Sequence, residues 1–172
     1  MIALLRGVTP TGKNRIPKMS YLAEVLQNAG LRDVKTYIQS GNIIFNTELA
    51  ESEVKILIHD CIKQKIGADL SVILKTSEQL KRACKECPFG EEYDITRVHL
   101  VFTNDTICTQ KLSKLLEMDF GDEVFAFGKE CLYMYLPKNA EKKRLNNNFL
   151  ERQLGITATM RKFNVVQHLS EL

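Results

Sequence analysis

Two short polar runs carry the residues of this chain best suited to holding a small anion. Gly12-Lys13-Asn14 closes a turn-rich stretch, and Gln39-Ser40-Gly41-Asn42 stands between two β-rich runs. A glycine-bearing loop leaves backbone N–H groups accessible and a lysine beside it supplies positive charge. Ser40 and Asn42 add hydrogen-bond capacity, so together the runs suit a phosphate or a carboxylate. Arg6, at the end of the first apolar run, is the candidate second cation, with bonding to loop carbonyls as its alternative role. Neither run is a nucleotide motif, because the spacing of a phosphate loop and a G-x-G-x-x-G are both missing.

Other chemistry has weaker support. His59 falls on the polar side of a predicted helix, His99 within a strand and His168 in the last helix, and no metal-ligand spacing connects them. They read as structural, and no metal or cofactor is expected. Ser40 has no recognisable base, and G-x-S-x-G is absent, so no nucleophilic reaction is assigned and whether the chain is an enzyme stays open. Cys84 and Cys87 form a C-x-x-C near the end of a helix, just before Pro88. A thioredoxin-like pair would begin a helix and a zinc site would need a second pair, so the expectation is a partly buried helix end.

The elements that must position these runs can be read along the chain. Ile2 to Leu5 predicts a strand, and Met19, Leu22, Leu26 and Ala29 predict a helix over about residues 17 to 29, stopped by Gly30. Val34 to Ile38 and Ile43 to Phe45 predict a hairpin around the second polar run. A helix over Glu51 to Ile66 and a strand over Leu70 to Leu74 complete β-α-β-β-α-β. Ser77 caps a short helix through Cys84, and residues 88 to 96 read as a connection.

The series then restarts. Val98 to Phe102 predicts a strand; Leu112, Leu115 and Leu116 a helix; Glu123 to Phe127 with Cys131 to Leu136 a hairpin around Gly128-Lys129. Ala140 to Leu154 predicts a helix capped by Asn139 and ended by Gly155, followed by a strand over Ile156 to Met160 and a final helix from Asn164. The expected class is therefore α+β, two ferredoxin-like halves in tandem with an added C-terminal helix, divided as residues 1–87 and 88–172. A single mixed sheet would use the same elements. In a βαββαβ unit the loop after strand one and the hairpin after strand two leave the same edge, which predicts that Lys13 and Ser40 are neighbours.

Composition narrows the class. With 44% hydrophobic and 26% charged residues the chain is an ordinary globular protein, and a net charge of +3 is far from that of a dedicated nucleic-acid binder. Basic residues do cluster at Lys13/Arg15/Lys18, Lys142-Lys143-Arg144 and Arg161-Lys162, so a nucleic-acid or protein-binding module is the alternative to a small-anion site. No stretch reaches the roughly 18 apolar residues of a membrane span, and the start of the chain lacks the apolar core of a signal peptide. Five cysteines without a secreted-domain framework suit a reducing compartment, so the expected location is cytoplasmic.

Ile2-Ala3-Leu4-Leu5-Arg6-Gly7, Gly12-Lys13-Asn14 and Thr36-Tyr37-Ile38-Gln39-Ser40-Gly41-Asn42-Ile43-Ile44-Phe45 together resemble the signature of the bacterial domain-of-unknown-function family 1697. The resemblance continues through Pro88-Phe89, Leu132-Tyr133 and Thr159-Met160-Arg161. It adds Thr159 and Arg161 to the candidate ligand residues Arg6, Gly12, Lys13, Asn14, Gln39, Ser40, Gly41 and Asn42. The chain departs from the family pattern at Cys87, where asparagine usually precedes Pro-Phe, and at Lys162 and Phe163, where Asn-Trp is usual. The resemblance implies no activity.

Overall fold

The computed structural model describes every residue from Met1 to Leu172. The chain divides into two compact units, Met1–Ser77 and Glu78–Glu171. Both are α+β, each built on a four-stranded antiparallel sheet.

The first unit runs β1 (Ile2–Arg6), α1 (Met19–Asn28), β2 (Arg32–Tyr37), β3 (Asn42–Asn46), α2 (Glu51–Lys65) and β4 (Ser71–Lys75). The sheet order is β2-β3-β1-β4. The uninterrupted apolar run Ile2–Leu5 has the sequence of a strand buried on both faces, and all four side chains are buried. Ala3 and Leu5 meet Leu22 and Leu26 of α1 and Val54, Ile58 and Ile62 of α2 in the core. Each such aliphatic side chain contributes about 1.5–3 kcal/mol through burial. The edge strand β2 is blunted by Arg32, Asp33 and Lys35, by a register shift between Arg32 and Lys35, and by Asp33 at φ 53°.

The second unit runs α3 (Ser77–Lys85), a 3-10 turn (Ile95–Arg97), β5 (Val98–Thr103), α4 (Thr109–Leu116), β6 (Val124–Phe127), β7 (Leu132–Tyr135), α5 (Asn147–Leu154), β8 (Ala158–Lys162) and α6 (Phe163–Glu171). Its sheet order, β6-β7-β5-β8, repeats that of the first. Val101, Leu132, Met134 and Ala158 form one sheet face, covered by Leu112 and Leu115 of α4 and Phe149, Leu150 and Leu154 of α5. The alternating residues form the other face. There Tyr133 is fully buried and donates its hydroxyl proton to the Ala83 carbonyl of α3 at 2.6 Å. The stretch read as a connection is pinned by aromatic packing, with Phe89 4.8 Å from Tyr93 and 5.9 Å from Tyr135, centroid to centroid.

The largest difference from the sequence expectation lies before α5. The helix expected from Ala140, capped by Asn139, begins instead at Asn147, capped by the Asn146 side chain accepting from the Phe149 N–H at 2.8 Å. The reason is competition for backbone donors. The buried carboxylate of Glu123 takes the N–H groups of Arg144 and Leu145 at 2.6 and 2.9 Å. Asp122 takes that of Glu141 at 3.4 Å. Gly155 does end the helix, in the left-handed conformation. The last strand starts two residues later than expected, and α1 begins beyond Pro17. Ile38, expected to be in β2, lies in the turn after it.

Candidate functional site

β1 and β2 each pair antiparallel with β3, so they run in the same direction and their exits lie at one end of the sheet. The segments that follow them touch. Leu5 donates its N–H to the Gly41 carbonyl at 2.9 Å, and Gln39 Nε2 donates to the Ile16 carbonyl at 2.8 Å. Gly41, at φ 81°, leaves so little room that a Cβ would sit 2.9 Å from Leu5 Cβ and 3.0 Å from Val8 Cγ2. The loop after β1 and the hairpin after β2 therefore meet at one end of the sheet, through Leu5, Val8 and Ile16 on one side and Gln39 and Gly41 on the other.

A third segment joins them, for the same topological reason. β4 is antiparallel to β1 with Arg6 opposite Ser71, so the turn leading into β4 also arrives at this rim. Asn14 grips that turn with both arms of its amide. Its Oδ1 accepts from the Asp69 N–H at 3.1 Å and its Nδ2 donates to the Asp69 carbonyl at 3.3 Å. The loop folds on itself as well: Thr9 donates its N–H to the Asn14 carbonyl at 3.1 Å, and Arg15 to the Gly12 carbonyl at 3.3 Å.

These contacts sort the candidates by what their side chains do. Asn14 is occupied by Asp69. Asn42 is fully buried, its Nδ2 donating to the Tyr37 carbonyl at 2.9 Å and to Ser40 Oγ at 3.0 Å. Gln39 ties the hairpin to the loop, and Gly41 permits the close approach. These four build the rim. Gly12, Lys13 and Ser40 are exposed on it, and Arg6 is half-buried at the end of β1. Beside Gln39, Ile38 sits at φ 50° with 47% of its surface exposed. A β-branched residue in that region costs about 1–3 kcal/mol and persists only where neighbours hold it.

Sequence reasoning missed Asp69 and set His59 aside. His59 on α2 lies between two carboxylates, Nε2 at 2.9 Å from Asp69 Oδ1 and Nδ1 at 3.1 Å from Asp60 Oδ1. The hydrogen bond to Asp69 and then that to Asp60 raise its pKa above the usual 6.5. The same contact with His59, followed by the charge of Lys63, lowers that of Asp69. Both were readable in principle, since antiparallel pairing of β4 with β1 brings residues 67–70 to the exit of β1.

Thr159 and Arg161 lie on β8 in the second unit and form a pair of their own. Both are buried, with Arg161 Nη1 donating to Thr159 Oγ1 at 2.7 Å and to the Met160 carbonyl at 2.8 Å. Burial lowers the guanidinium pKa to about 10. Buried His99 has its pKa lowered, chiefly by desolvation.

No group of three or more His, Cys, Asp or Glu side chains is placed to hold a metal ion, and no helix is long and apolar enough to cross a membrane. Desolvation raises the Cys84 thiol to about 11 and also raises Cys87 and Cys61. Cys108 is different: it is exposed before α4, and the N–H groups of Lys111 and Gln110 lower its pKa. The thiolate is the nucleophile. Iodoacetamide at neutral pH should therefore modify Cys108 first, with peptide mass mapping as the check.

A family model described as "Protein of unknown function (DUF1697)" matches residues 1–133. That span contains the whole rim and ends before Thr159 and Arg161. Among solved structures, a conserved bacterial protein of Streptococcus pneumoniae, SP0830, is similar with a TM-score of 0.73 and 20% sequence identity. The similarity covers 99% of this chain and 96% of that one, and it shows a shared fold. No curated protein is significantly similar in sequence. A match over residues 1–133 of 172 settles membership: the chain belongs to the DUF1697 family of proteins of unknown function.

Proposed function

We propose that the rim of the first unit binds a small phosphorylated or carboxylated ligand, with Lys13 and Ser40 as its principal contacts, Arg6 as a second cation and the Gly12 backbone beside them. The observation that carries this reading is convergence. Segments remote in sequence meet on a scaffold held together by polar side chains, and Lys13 and Ser40 are exposed on it. The strained, exposed Ile38 at the same rim supports it, because such backbone outliers cluster at functional sites.

The strand orders support reading the units as two ferredoxin-like halves in tandem, with α6 as an addition to the second. The five cysteines, an odd number without a secreted-domain framework, support a cytoplasmic location. A nucleic-acid module is less favoured. In the most basic run, the Arg144 guanidinium lies 5.8 Å from the Phe120 ring and 5.4 Å from that of Phe149, engaged within its own unit.

The test is thermal denaturation with increasing inorganic phosphate. A ligand at 100 times its dissociation constant contributes about 2.7 kcal/mol, visible as a rise in melting temperature. Phosphate also stabilises proteins non-specifically by exclusion from their surface, so the comparison with Lys13→Ala decides the matter. A saturable rise that Lys13→Ala abolishes supports the site. The same rise in both proteins, or none in either, overturns it.

A further inference from the structure

We propose that His59, Asp69 and Asn14 form a latch that positions the Lys13 loop, closed most firmly when the His59 imidazole is protonated. This rests on reading the rim as an anion site and makes all three positioning residues for it. The chain of contacts is continuous across three segments: imidazole of α2 to the Asp69 carboxylate at 2.9 Å, and Asp69 backbone to the Asn14 amide at 3.1 and 3.3 Å. Asn14 directly follows Lys13, and its carbonyl holds the Thr9 N–H at 3.1 Å, so fixing Asn14 fixes both ends of the loop tip.

The proton dependence follows from donor counting. Imidazolium carries two N–H donors and serves Asp69 and Asp60 together; neutral imidazole carries one and serves only one of them. The charged groups around this centre are Asp60 and Lys63 on α2 and Asp69 on the turn, with Lys63 Nζ 3.7 Å from Asp69 Oδ2. Asn14, the loop's contribution, is neutral. Because the folded pKa of His59 is raised, its contribution is complete below the unfolded value of 6.5 and is lost as pH rises through the folded one. Asp69 is lowered, so its contribution is present above the ordinary 3.8 and is lost as pH falls through its depressed folded pKa. The latch is closed between these limits. Both carboxylates are exposed and the imidazole is partly so, which screens the pair, and the expected effect is small, about twofold to fivefold.

The experiment uses the full chain and two readouts across pH 5 to 9. One is the amide exchange protection of residues 9–16, corrected for intrinsic rate. The other is affinity for sulfate, whose charge is constant over this range. The expected result is a fall in both by about twofold to fivefold with a common midpoint above 6.5, absent in His59→Gln. Asn14→Ala should lower protection at every pH and remove the step. A flat protection profile in the unaltered protein, or a step that survives in His59→Gln, overturns the latch even if sulfate binds. A protection step that His59→Gln removes, without sulfate binding, leaves the latch standing and rejects the anion reading.

Discussion

Gly41→Ala should cost about 3 kcal/mol of stability, against about 1 kcal/mol for Gly12→Ala. The two glycines have nearly the same backbone conformation, φ 81° and 82°, so the left-handed penalty on adding a Cβ is common to both. They differ in surroundings. Nothing lies within 4 Å of a Cβ at Gly12, whereas at Gly41 it would meet Leu5 Cβ at 2.9 Å, Val8 Cγ2 at 3.0 Å and Leu5 Cδ1 at 3.2 Å. Leu5 cannot retreat easily. It is buried in the core beneath the helices and its N–H is bonded to the Gly41 carbonyl itself, so relief of the clash would strain or break the contact that seats the hairpin on β1. Urea denaturation of the three proteins is the measurement. Equal losses in the two variants would mean that the hairpin and the β1 exit are not in the close contact described. Loss of anion binding in Gly41→Ala but not in Gly12→Ala would further show that the rim depends on that contact.

The hairpin was legible because its turn residues do local work. Gln39-Ser40-Gly41-Asn42 carries a glycine where the left-handed region is required, and flanking apolar runs supply the strands. The rim followed from topology, since the direction of β1 and β2 is set once both pair with β3. The roles of its residues did not follow. Asn14, Gln39 and Asn42 read as candidate ligand residues, yet Asn14 and Gln39 bond main-chain groups of other segments, and Asn42 bonds the Tyr37 carbonyl and Ser40 Oγ of its own hairpin. Main-chain partners have no sequence signature, because every residue offers the same backbone groups. Asp69 escaped for a related reason. Its side chain meets His59, but its hold on the loop runs through its main chain. Ile38 marks a different limit: its propensity is for a strand, and the turn geometry overrides that at φ 50°.

The misplaced start of α5 has the same origin and yields the second large expected effect. Residues 140–146 have an acceptable helical composition, and Asn139 and Asn146 are equally good caps in isolation. What selects Asn146 is Glu123, whose single Oε1 accepts the N–H groups of Arg144 and Leu145 from a site only 5% exposed. Replacing it with alanine leaves two backbone donors without that acceptor, that of Leu145 buried and that of Arg144 partly buried. At about 1–3 kcal/mol for each unsatisfied buried group, Glu123→Ala should cost about 3 kcal/mol. Glu123→Gln keeps a carbonyl oxygen at the same position, so its cost should stay within about 1 kcal/mol. Far-UV circular dichroism adds an independent reading. If the freed N–H groups of residues 140–146 turn to i−4 carbonyls, Glu123→Ala gains helix as it loses stability, and the first half of the helix expected from sequence emerges. Equal destabilisation by alanine and glutamine would show that the charge of Glu123, rather than its acceptor geometry, holds this segment out of the helix.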